Sequence, residues 1–148
     1  MPTMLRVSEA AALALHAMVF LAVNKDRIVS TGEIADAFEA SDAHLSKVLQ
    51  RLQKAGLVSS TRGPKGGFRI ARPAEEITLL DVYEIIEGEL VDAGCLFTPA
   101  ACDGKTCILG DLLGTVNSQV RDYMAGTRLS DLTGPFASMR LGCGGKPQ

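Results

Sequence analysis

The chain has 148 residues, is 47% hydrophobic and carries a formal net charge of −2, enough apolar material for one packed domain with an appendage. Its longest apolar run, 10–23, is interrupted by His16 and too short to span a bilayer. With no basic start and cleavage site ahead of it, the chain is expected in the cytoplasm without a membrane partner. Three of the four cysteines fall within 95–107 and the fourth is Cys143, a clustering that suggests metal or redox chemistry rather than a secreted disulfide framework.

In chain order, a first helix is expected from about Ser8 to Val23, with Ser8 as N-cap and Glu9 in the first turn. It is apolar nearly all round, so it is expected to be buried on most sides. Ser30-Thr31-Gly32-Glu33 has the hydroxyl-then-Glu spacing of a capping box and opens a short helix to about Phe38. Ser41-Asp42 is another N-cap signal; Leu45, Val48, Leu49 and Leu52 make one face of the helix it opens, which Gly56 stops. Two short helices joined by a tight turn form a helix-turn-helix pattern. Leu57–Thr61 and Phe68–Arg72 read as strands around the glycine-rich turn 62–67, which makes a β-hairpin wing with cations at its tip.

Charge divides along the chain. Between His44 and Arg72 the charged residues are Lys47, Arg51, Lys54, Arg62, Lys65, Arg69 and Arg72, with no Asp or Glu; from Pro73 to Gly104 there is no Lys or Arg. A basic winged helix points to duplex DNA. The second helix of the pair would offer Ser41, Asp42, His44, Lys47 and Arg51 to a major groove, while Arg62 and Lys65, beside Gly66 in the wing turn, would reach phosphates or the minor groove. No Gly-Lys-Ser/Thr sequence opens a helix after this turn, which argues against a nucleotide loop. No nucleophile with a nearby base and no plausible carboxylate pair points to an enzyme.

Thr78 is the expected N-cap of an acidic helix that ends near Gly88. After the cysteines, Ile108, Leu112, Leu113, Val116, Val120, Tyr123 and Met124 recur at helical spacing. Such a stripe is buried either by a second copy of the chain or by folding back on the winged domain. A short last helix is expected over 127–132 and a mobile tail at the end. The expected organisation is a mainly α fold with a small β-hairpin wing: a winged helix-turn-helix domain over 1–88, a cysteine-containing sensor loop over 89–108, a long dimerisation helix and short helix over 109–141, and a tail over 142–148.

Three stretches carry a family resemblance: STGEIADAFEASDAHLSKVLQRLQKAGLVSSTRGPKGGFRIAR, then ITLLDVYEIIEG, then CILGDLLGTVNSQVRDYMAGTRLSDL. Over roughly residues 5 to 133 the chain resembles the Rrf2 family of bacterial transcription regulators, in particular its iron–sulfur biogenesis and nitric-oxide-sensing branches. The resemblance implies a homodimer on an operator of partial twofold symmetry, each long helix crossing its partner. It also implies an iron–sulfur cluster, of two or four irons, held by Cys95, Cys102 and Cys107 and a fourth, non-cysteine ligand. The chain departs from the family here. The position three residues after the last cysteine, a His in one branch, is Gly110, and the helix-1 position that is Asp in another branch aligns with Ala12. His16 is the favoured substitute, since imidazole replaces thiolate in known cluster types; Glu9 is the alternative on the same stripe, and Cys143 a further one. Two cluster-free readings stand beside this one, a thiol switch and a zinc site that staples the loop.

Overall fold

The computed structural model describes residues 7–91, 95–97, 99–101 and 106–138. The elements in order are α1 (Glu9–Val23), α2 (Thr31–Phe38), α3 (Asp42–Lys54), β1 (Val58–Thr61), β2 (Gly67–Ile70), a single 3₁₀ turn (Ala74–Glu76), α4 (Leu79–Glu87), α5 (Leu112–Gly126) and α6 (Leu129–Thr133). The expected mainly helical winged fold is observed. Among the described residues no helix is long and apolar enough to cross a membrane.

Local side-chain chemistry starts the helices where the sequence says it should. The Ser8 hydroxyl accepts the Ala11 N–H at 3.0 Å. Ser30 and Glu33 form a full capping box, as do Thr78 and Asp81, each satisfying N–H groups that have no partner inside the helix. Between α2 and α3 the chain turns through Glu39, which takes a left-handed φ of 52° and returns its N–H to the Ala35 carbonyl.

Helix α1 is the central post of the core. Met18, Phe20 and Leu21 are fully buried beside Ile34, Leu45, Leu49, Leu52, Ile77, Val82 and Leu129 from the surrounding elements, and α1 packs on α3, α4, α6 and β2. Burying each large side chain is worth about 1.5–3 kcal/mol, so α1 contributes a large share of the core's stability. Its end is closed by Asn24, which is 3% exposed. The Asn24 amide donates to the Phe20 carbonyl, its Oδ1 accepts from Arg27 Nε, and Arg27 in turn pairs with Glu33 of α2 at 2.8 Å.

The wing is an antiparallel pair with Val58 opposite Ile70 and Thr61 opposite Gly67. Glycine is required at two places in it. A Cβ on Gly66 would lie 2.2 Å from the Thr61 carbonyl oxygen, and one on Gly67 would lie 2.2 Å from that of Val29. Val29 is a third strand position that the sequence reading did not foresee, exchanging two backbone hydrogen bonds with Phe68 at 2.7 and 2.8 Å. A second bridge, Thr78 to Arg128, ties the start of α4 to the start of α6.

The amphipathic helix begins later than expected. Gly110 has a φ of +59° and follows the turn in which its N–H meets the Cys107 carbonyl, so Ile108 lies outside α5 and is 93% exposed. The helix that remains, Leu112–Gly126, is about four turns long.

Candidate nucleic-acid interface and cysteine loop

Helix α3 presents its apolar stripe inward and therefore its polar residues outward. Ser41 is its N-cap, with Oγ accepting the His44 N–H at 3.1 Å, so the hydroxyl already holds the helix end while Asp42 and Lys47 are exposed. His44 is half-buried, its Nδ1 3.8 Å from Glu9 at the start of α1. In the wing, Arg62 and Lys65 are exposed, with Gly66 half-buried in the turn. The Lys and Arg ion pairs among the described residues are Arg27–Glu33 and Arg72–Glu76. Lys47, Lys54, Arg62, Lys65 and Arg69 therefore have no carboxylate partner among these residues, and their charge faces outward. Gln53 Nε2 donates to Ser60 Oγ at 2.9 Å, which fixes the wing against α3.

Arg51 is placed differently from the free groove contact that the sequence suggests. Its Nη2 donates to the carbonyls of Ile86 at 2.7 Å and Ile85 at 3.2 Å, so this guanidinium caps the carboxyl end of α4. Nothing near it in the sequence could reveal this, because its partners lie 34 and 35 residues away.

The last turn of α4 is held from two other directions. The Ser8 hydroxyl donates to the Glu87 carboxylate, and Glu84 Oε1 accepts the Leu90 N–H at 3.0 Å. Burial and the neighbouring Glu87 carboxylate push the Tyr83 phenol above its ordinary 10.0.

Beyond α4 the cysteine stretch begins. Cys95 and Cys107 are half-buried, and each sulfur accepts a backbone N–H from two residues on, Phe97 to Cys95 and Leu109 to Cys107, both at 3.5 Å. Such donors are among the contacts that tune sulfur-ligated metals. Cys102 and Cys143 lie outside the described residues. Among those described, no group of three or more His, Cys, Asp or Glu could hold a metal ion, so Cys95, Cys107 and His16 of one chain do not form such a set.

His16 is exposed rather than enclosed. Its Nδ1 lies 2.6 Å from the Ala12 carbonyl and its ring meets Phe38 edge-on with centroids 5.4 Å apart. Because its partner is a carbonyl, Nδ1 is the donor in this contact, and Nε2 is the ring nitrogen not engaged in it. The same side chain borders an apolar groove of about 270 Å³ lined also by Leu15, Val19, Leu79, Tyr123 and Phe136. Glu9, the alternative, is exposed and faces His44.

A helix-turn-helix whose second helix and adjoining wing both carry unpaired cations defines a winged-helix DNA-binding regulator. The chain belongs to the Rrf2 family: the family model described as "Iron-dependent Transcriptional regulator" matches residues 7–135. It is 31% identical over 137 residues to the HTH-type transcriptional regulator IscR of Cereibacter sphaeroides, covering 86% of each chain. Among solved structures it is similar to CymR, the global cysteine regulator of B. subtilis, with a TM-score of 0.76 and 25% identity over 89% of this chain and 98% of that one. It is also similar to the oxidized form of Staphylococcus aureus CymR, with a TM-score of 0.72 and 28% identity over 87% and 96% of the two chains. The chain is thus a transcriptional regulator and not an enzyme.

Proposed function

We propose that this regulator works in the cytoplasm as a homodimer on an operator of partial twofold symmetry, and that chemistry at Cys95, Cys102 and Cys107 sets its affinity for that DNA. In this reading Ser41, Asp42, His44 and Lys47 face base edges, and Arg62 and Lys65, with the close-packed backbone at Gly66, meet phosphates. What carries the sensor half is the pair of half-buried sulfurs, each with a backbone N–H aimed at it, on a segment that leaves directly from α4. Dimerisation is supported by α5, whose Leu112, Val116 and Tyr123 are 47%, 41% and 64% exposed in the single chain.

The three cysteines fit an iron–sulfur cluster by their donor chemistry, and His16 is the favoured fourth ligand. Its side chain lines the apolar groove that a second copy would cover, which suits a ligand supplied across the dimer. A bound cluster would supply reactivity towards oxidants and nitric oxide. The protein's part is to hold the loop so that a change of ligation reorders residues 90–108 and pulls on α4. The test is an ultraviolet–visible spectrum with iron and sulfide analysis of protein purified without oxygen. Visible absorbance that disappears in Cys102→Ala and changes in His16→Ala is expected. A colourless, iron-free protein that resists anaerobic reconstitution would overturn the cluster.

The likeness to S. aureus CymR, solved in an oxidized form, favours a second reading in which the same cysteines act as a thiol switch. A disulfide gives no visible band, so the same spectrum separates the two, and zinc analysis identifies a stapled loop.

A further inference from the structure

Resting on the reading of the cysteine stretch as a sensor, we infer that Arg51 is the residue that transmits its state to the DNA-reading helix. The last turn of a helix leaves carbonyls without intrahelical partners and carries the negative end of the helix dipole. In α4 those carbonyls, Ile85 and Ile86, are taken by one guanidinium, and it comes from α3. Arg51 sits one turn beyond Lys47 on α3, so any rotation or shift of the α4 terminus is felt on the helix that meets the groove. The link continues towards the cysteines. Glu84, in the same turn of α4, holds the Leu90 N–H at 3.0 Å, and Gly88, with a φ of +89°, makes the bend between them. Hydrogen bonds thus link residues 84–90 to α3 on one side, and the chain continues from them towards Cys95. Arg51 is a positioning residue here: its hydrogen bonds, rather than a base contact, make α3 sensitive to the loop.

The test is a double-mutant cycle read on a DNA duplex selected from a randomised pool by the wild-type protein. Cys107→Ser, which removes a cluster or zinc ligand or a disulfide partner, is measured alone and together with Arg51→Gln, each purified without oxygen and measured again after oxidation with peroxide. Couplings between distant sites commonly change affinity by about 5–150-fold. Cys107→Ser is therefore expected to change affinity by at least about fivefold in the native background and by less than about twofold beside Arg51→Gln. Arg51→Lys, whose ammonium can still reach a carbonyl, should restore part of the response, and circular dichroism confirms that each variant is folded. Amide exchange along α3 should respond to Cys107→Ser only when Arg51 is present. An equal effect of Cys107→Ser in both backgrounds overturns the role of Arg51 and leaves the sensor reading intact. No effect of Cys107→Ser before or after oxidation, even with Arg51 present, refutes the sensor reading and the inference with it.

Discussion

Helices α1 and α5 are both fifteen residues long, and the chain treats them in opposite ways. Ten residues of α1 are buried, and α2, α3, α4 and α6 gather round it. In α5 Met124 is buried, while Leu112, Val116 and Tyr123 of its apolar stripe stay in contact with solvent. The head is thus closed on itself, whereas the arm carries apolar surface that its own chain does not cover. Exposed apolar residues that recur along one helix mark an association surface. This contrast supports giving DNA reading to the head and assembly to the arm.

The contrast predicts that damage to the two helices has different consequences. Phe20→Ala, in the middle of α1, should cost about 3–5 kcal/mol of folding stability, read as a large fall in the urea or thermal midpoint. Val116→Glu on α5 should leave the head folded but place a carboxylate in the proposed dimer face, weakening association by about 3 kcal/mol or more. Sedimentation equilibrium should then show a dimer for the native chain and a monomer for the variant. If Val116→Glu sediments like the native chain, the α5 stripe is not the dimer face.

The head can then be divided further. Lys47→Ala on α3 and Arg62→Ala in the wing should each weaken DNA binding while dimerisation is unchanged. If the two side chains meet phosphates, each loss should lower the slope of log affinity against log salt by about one. If Lys47 reads a base instead, its substitution should reduce discrimination between the selected duplex and random DNA without that change in slope.

What could be read in advance and what could not follows from the range of each interaction. The caps at Ser8, Ser30, Ser41 and Thr78 act over three residues, so residue types alone revealed them. The wing was legible because its turn needs glycines, and Gly66 and Gly67 indeed sit against backbone oxygens that exclude a Cβ. The charge and helical position of Arg51 point to DNA; its carbonyl partners on α4 are set by packing and leave no local trace. Val29 carries no turn or pattern signal of its own, and its pairing with Phe68 depends on α1 delivering it to the wing. The start of α5 was misread because Ile108 fits the apolar spacing, while the left-handed Gly110 between them breaks the helix. An imidazole in an apolar helix suggests a specific role, yet α1 has an exposed edge and His16 lies on it.

The smallest effect tests how α2 is fastened to α1. Burial raises the Glu33 carboxyl, but the Ser30 N–H, the Arg27 guanidinium and the Ser30 hydroxyl together outweigh it and hold the group below its ordinary 4.5. A depressed pKa means that the folded state prefers the charged carboxylate, so this contribution to stability is complete above 4.5 and is lost as pH falls through the folded value. The side chain is 39% exposed, so salt should screen much of the effect. The urea midpoint of the native protein should therefore decline on acidification below about pH 4.5 more steeply than that of Glu33→Gln, which has no charge to lose there. Above that pH the variant should be the less stable of the two. High salt should narrow the difference, because the Arg27 part is electrostatic while the Ser30 hydrogen bonds persist. Parallel acid limbs for the two proteins would mean that Glu33 caps α2 without being held in its charged form, and that the fastening to α1 depends on Asn24 and the apolar core.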